Sequence, residues 1–232
     1  LKIENEKLTK KLNESEDNIK FKEDNKKLKD ELIKLTDINH KNFNELHKKY
    51  FRHFYSNSCI LLNEEIEIFS NHFKKEFFLN EIYNSENDGR DLEIFKKKCH
   101  DIPYTFILIK SDYGRRFGGF TKLPWTDKKT GFSSGDGEDF IFSLTKRRIF
   151  KCENPCKAIL NNKNYFLVFG AGHDISLHET CFKQRSEFTY SNFPYTYGKT
   201  ELFNEDKKSY LAGDEKFRIV ALEVYKVEFY SV

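Results

Sequence analysis

The chain contains no methionine, one tryptophan and only four prolines among its 232 residues. A start at Leu1 reads as a piece of a longer protein, whose targeting signals would lie elsewhere. No apolar run approaches the ~18 residues that suggest a bilayer-crossing helix, and no secretory-type apolar stretch opens the chain. A membrane span is therefore not expected. Charge of one sign is missing too: 40 basic against 37 acidic residues leave a net +3. Such a balance supplies no whole-protein attraction for nucleic acid or a membrane surface. Cysteines are few, odd in number and irregularly spaced: Cys59, Cys99, Cys152, Cys156 and Cys181. In a chain this long they read as reduced thiols rather than a disulfide framework. The expected setting is intracellular and cytoplasmic, with the nucleus as the alternative.

Rings are abundant, with 24 Phe and 12 Tyr, so any core here is built largely on aromatics. Their distribution divides the chain. Residues 1–55 contain no Gly or Pro and are dense in Lys, Glu, Asp and Asn. Leu1, Leu8, Leu12, Leu28, Leu32, Leu35 and Leu46 recur in sevens or in 3/4 steps, with a slip near Ile19 and Phe21. That is a heptad seam. Asn5, Asn25 and Asn39 fall at alternate core positions, where Asn favours a parallel dimer in one register at some cost in stability. Residues 1–56 are thus expected to form a long coiled-coil helix that joins the chain to itself, leaving 57–232 as a domain. Ser15 and Asn42 thin the seam, so the dimer should be modest.

After residue 56 glycines and strand-like runs begin. Asn63 is a plausible N-cap for a helix carrying Ile66, Phe69 and Phe73, and a second helix should follow Asp88-Gly89 through Leu92, Phe95 and Cys99. Thr105–Ile109 is a continuous apolar strand, and Ser111-Asp112-Tyr113-Gly114 has hairpin-loop residues. The returning strand Arg116–Thr121 contains Gly118 and Gly119, and glycine inside a strand marks a bulge or a close approach. Further strands are expected at 139–144, 148–152, 165–169, 174–177 and 217–229. Many short strands with few helices between them predict a mainly β, two-sheet antiparallel sandwich with flanking helices.

The motif order resembles the TLDc domain family across residues 57–232. Phe117-Gly118-Gly119-Phe120 with Pro124-Trp125 is similar to that family's FGG-aromatic and PW signature. Asp139–Leu144, Phe169-Gly170-Ala171-Gly172-His173-Asp174-Ile175 and Leu222-Glu223-Val224-Tyr225 match further blocks, with Ala171 standing where the family has Gly. The resemblance implies a two-sheet β-sandwich, a link to oxidative-stress resistance and binding of the V-ATPase, the vacuolar proton pump. It implies no agreed catalytic activity and no cofactor.

Searched for chemistry directly, the sequence offers little. Cys99 and His100 are neighbours, but adjacent helical side chains do not face each other. No nucleophile elbow, P-loop or dinucleotide fingerprint is present. Cys152 and Cys156, with His173, His178 and Cys181, could in principle bind zinc, but lack the tight knuckle pairs of structural sites. Gly135–Asp139 reads as a solvated loop. Glu223 is the informative charge. Period-two alternation places it with Ile219, Ala221, Tyr225 and Val227, where a carboxylate needs partners. Gly118, Gly119 and Glu223 are the candidate motif or partner-binding residues; no catalytic, cofactor or metal residue is assigned. The expected function is non-enzymatic protein contact. The alternatives are a basic-zipper-like nucleic-acid binder, opposed by acids interleaved among the lysines of residues 1–49, and an enzyme of unknown type.

Overall fold

A computed structural model gives the fold and describes residues 58–198, 207 and 209–229. The coiled coil expected over residues 1–56 lies outside the described residues. A 3-10 turn at Asn63–Glu65 leads into α1 (Ile66–Phe73), and a second helix, α2, spans Leu92–Cys99. Asn63 is not the cap of α1. Instead the Glu65 carboxylate accepts from the Leu62 N–H at 3.0 Å, closing the turn that starts the helix. Asp91 caps α2 by accepting from the N–H groups of Glu93 and Ile94, as a short carboxylate at a helix start should.

Among the described residues ten strands form two antiparallel sheets: β1 (Phe77–Asn84), β2 (Thr105–Ser111), β3 (Arg116–Thr121), β4 (Gly131–Ser133), β5 (Phe140–Ser143), β6 (Arg148–Lys151), β7 (Ile159–Asn161), β8 (Tyr165–Phe169), β9 (Ile175–His178) and β10 (Ile219–Phe229). The six-stranded sheet has the order β1-β10-β2-β3-β5-β6 and the four-stranded sheet β4-β7-β8-β9. The expected mainly β, two-sheet antiparallel fold is the observed one. Pairing the last strand between β1 and β2 puts β10 deep in the large sheet, which is why it is long and apolar.

Each sheet gives one face to a shared core. Ile107, Ile109, Phe117, Ile141 and Val224 of the large sheet meet Leu167, Phe169, Ile175 and Leu177 of the small one. Trp125 closes one end, its ring 5.3 Å from that of Phe169 and its Nε1–H donating to Thr105 Oγ1 at 3.0 Å. Burying an indole is favourable only with such a partner.

The opposite face of the large sheet is not left to water. It carries Phe106, Phe120, Phe140 and Phe142, and α1 lies across it. Phe69 sits edge-on to Phe106 at 4.7 Å and to Phe142 at 4.8 Å, while Phe73 meets Phe77, Phe120 and Phe229 at 4.9–5.2 Å. Edge-to-face pairs of this kind add about 0.5–1.5 kcal/mol each beyond burial.

Candidate interaction site

Gly118 and Gly119 stand side by side in β3 and point to opposite faces. A Cβ on Gly118 would lie 1.8 Å from the Ile107 carbonyl oxygen and 2.9 Å from the Phe142 ring. A Cβ on Gly119 would lie 2.6 Å from the Phe169 ring of the other sheet. The pair therefore clears one ring on each side of the strand. Neither has a positive φ, so it is close approach that excludes a side chain here.

Glu223 lies at the middle of β10 with no exposed surface. A register shift between Ile219 and Ala221 changes which face the strand presents. Ile219 consequently joins the core between the sheets, and is not on the side of Glu223 as simple alternation predicted. On its own side Glu223 accepts four hydrogen bonds: from Ser58 Oγ (2.5 Å), the Cys59 N–H (2.9 Å), Cys59 Sγ (3.1 Å) and the Tyr225 hydroxyl (2.9 Å). Three of the four come from the first residues of the domain, so this carboxylate holds the chain start against the central strand. Partial burial and then the neighbouring Glu223 carboxylate push the Cys59 thiol up to about 12, which keeps it protonated as a donor. Burial and the same carboxylate hold the Tyr225 hydroxyl far above its ordinary range.

A second carboxylate fastens the same segment. Glu65 is buried and takes a bidentate pair from Arg116, both contacts at 2.7 Å. Arg116 also donates to the Ile60 carbonyl oxygen at 2.8 Å. Between the two ties, Ile60 and Leu61 are buried, and their N–H groups donate to Ser58 Oγ. Residues 58–73 thus form a strap over the aromatic face of the large sheet.

The third carboxylate, Asp174, ends the glycine-rich turn before β9. It is fully buried and accepts from the backbone N–H groups of Tyr195 (2.6 Å), Thr196 (2.9 Å) and Tyr197 (3.4 Å). Gly170 makes room for it: its φ is +80°, and a Cβ there would come within 2.0 Å of Asp174 Oδ2. Ala171 needs no such freedom, and its N–H donates to Thr196 Oγ1 at 2.8 Å. Burial pushes the Asp174 carboxyl up to about 6, against the opposing pull of those N–H donors. A raised folded value means that stability from this group is complete below the unfolded value near 4 and is lost as pH rises through about 6. Relative to Asp174→Asn, the wild-type domain should lose about 2 kcal/mol between pH 4 and pH 7. Denaturant midpoints of both proteins across that range check this; a constant difference would overturn it.

By fixing residues 195–197, Asp174 sets Tyr195 over Gly172 with 57% of its surface exposed. A row of rings runs beside it: Phe188 to His178 (5.1 Å), His178 to Tyr165 (5.1 Å), Tyr165 to His173 (6.3 Å), and His173 stacked on Tyr190 (5.5 Å). Phe188, at one end, is 55% exposed. The other four rings of the row are half-buried, so Phe188 and Tyr195 are the two that present most of their surface to solvent here.

Other candidates stand apart. Cys99 and Cys181 are buried, Cys152 is buried and Cys156 exposed, and all four thiols are free. Among the described residues no three His, Cys, Asp or Glu side chains converge as metal ligands. Asp139 is fully buried, not solvated: Gly135 folds back over it, and its Oδ2 has no hydrogen-bond partner among the described residues. Desolvation accordingly raises its pKa. Sequence reasoning missed Ser58, Glu65, Arg116 and Asp174. Asp174 had a signal, an acid placed between a glycine turn and an apolar strand. The other three had none, since their partners are far away along the chain.

Two antiparallel sheets around an aromatic core, with a strap and small helices outside, define a mainly β sandwich whose buried carboxylates fasten its own loops. Within that class, the model of the TLDc domain matches residues 54–228, and the chain belongs to the TLDc family. No curated protein matches the chain. Among the described residues, no helix is long and apolar enough to cross a membrane.

Proposed function

We propose that this chain is a non-enzymatic protein-contact module, joined to itself through the leucine seam of residues 1–56. Its partners in this reading are subunits of the V-ATPase, and its setting is oxidative-stress resistance. The observation that carries the contact role is a half-buried ring row from Phe188 to Tyr190 that ends in the exposed Phe188, together with the exposed Tyr195 over Gly172. Tyrosine and phenylalanine supply much of the energy of protein interfaces, because they bury large area at little entropic cost. The buried acids Glu223, Glu65 and Asp174, by contrast, are each engaged in holding a segment of the domain itself.

Pull-down from cell lysate tests this. The wild-type chain should capture V-ATPase subunits, and a Phe188→Ser/Tyr195→Ser double variant should lose most of that capture with melting only slightly lowered, since each ring is more than half exposed. Absence of the pump from the wild-type capture overturns the partner; undiminished capture by the variant overturns the surface. Light scattering tests the seam: residues 1–232 should run as a dimer and residues 57–232 as a monomer.

A further inference from the structure

We propose that residues 58–73 are an exchangeable strap: in the dimer, each chain's aromatic groove holds the strap of the other copy. The proposal rests on the self-association reading above and adds to it a second, domain-level contact between the copies.

Three features of the strap carry it. First, it is held by side chains. Ser58 and Cys59 bind the Glu223 carboxylate, Glu65 binds Arg116, and the rings of α1 lie on the sheet. Among the described residues no backbone-to-backbone hydrogen bond joins the strap to a strand; the Cys59 N–H and the Ile60 carbonyl oxygen reach only strand side chains. It can therefore leave as one piece without opening a sheet ladder, which no element inside the sheets could do. Second, the hinge is short and strained. Only Lys74, Lys75 and Glu76 join α1 to β1, and Lys74 sits at φ +53°, in the left-handed region. A residue with a Cβ occupies that region at a cost, which an extended hinge removes. Short hinges under strain favour exchange of an element between copies. Third, every contact the strap makes within its own chain is available unchanged on the identical groove of a second copy, so exchange sacrifices none of them. The strap also follows the leucine seam directly in sequence.

The Glu65–Arg116 pair allows a direct test with the full chain. Glu65→Arg and Arg116→Glu variants each set like charges against each other when a strap folds onto its own groove. Coexpressed with a different tag on each chain and purified through both tags, they form a dimer in which exchange restores opposite charges at both sites. The mixed dimer is expected to melt on the order of 10 °C above either variant alone, though below the wild type, because the reversed pair lacks the Glu65 acceptor for the Leu62 N–H and the Arg116 donor to the Ile60 carbonyl oxygen. The E65R/R116E chain should melt near the mixed dimer, and serves as the control for the reversed pair. A mixed dimer that melts like the single variants overturns exchange. Where a single variant fails to fold alone, recovery of soluble doubly tagged protein upon coexpression supports exchange. Failure of that recovery while E65R/R116E folds overturns it. A wild-type chain that scatters as a monomer overturns the self-association reading and exchange with it, whereas a wild-type dimer without rescue overturns exchange alone.

Discussion

Gly118→Ala is expected to destabilise the domain by about 4 kcal/mol. The obstacle is main chain. A Cβ at this position would sit 1.8 Å from the Ile107 carbonyl oxygen on β2, and Gly118 itself is paired with Leu108 in that ladder. A side-chain neighbour could rotate away; a carbonyl in the middle of a sheet moves only if β2 and β3 part. Separating them would also displace Phe142, which stacks on Phe106 at 4.9 Å beneath α1. Gly119→Ala meets a ring, that of Phe169, and should cost less, about 1–3 kcal/mol, as the two sheets shift apart slightly. Denaturant midpoints with unchanged m-values measure both. A Gly118→Ala protein as stable as the wild type would show that the strand tolerates a Cβ, and would remove the close-approach account of this motif.

The strands that could be read from the sequence were those with a distinct local pattern. β2 is a continuous apolar run, the β2–β3 turn carries hairpin residues, and the glycine pair announced close approach within β3. β1 was hidden by a helical coincidence. Phe69, Phe73 and Phe77 are spaced by fours, so the ring pattern of α1 runs straight through the point where the helix stops. The chain reverses there on Lys74 in the left-handed region, without the glycine that usually marks such an end. β4 and β7 have three residues each, too few to show a period.

The candidate site was legible at single residues and illegible as pairs. Glu223 stood out because an acid in an apolar strand needs partners, yet nothing local names Ser58, which is 165 positions away. Its face was deduced correctly from Ala221 and Tyr225 and wrongly from Ile219, because a register shift interrupts the alternation between them. Asp139 was misjudged for a similar reason. Its neighbours in sequence are polar loop residues, and only the fold brings Gly135 back to cover it. Alternation reports the face of a strand between irregularities, and tertiary contacts decide what covers it.

Replacing Glu223 by Ala is expected to cost about 3 kcal/mol. Its carboxylate lies in the centre of the sheet with no Lys or Arg within ion-pair distance among the described residues. Four donors therefore do what a cation would otherwise do. Removing the acceptor leaves the buried Tyr225 hydroxyl and the Ser58 and Cys59 donors without it, and such an omission costs about 1–3 kcal/mol when the group cannot reach water. Ser58 and Cys59 are nearer the surface and can recover part of their loss through solvent, which keeps the sum close to the lower end. Glu223→Gln retains one acceptor oxygen but turns an NH2 toward donors, and should fall between Ala and the wild type. The loss should be local before it is global. Amide exchange at Ile60 and Leu61 should accelerate more than at Ile107 or Leu108, because the strap is what the carboxylate fastens. Partner capture should decline only as folding does, since a side chain with no exposed surface cannot touch a partner. An Ala variant with wild-type melting and wild-type exchange at Ile60 would show that the strap is held without Glu223. A stably folded variant with selectively lost capture would make Glu223 a contact residue, reached only after the strap lifts.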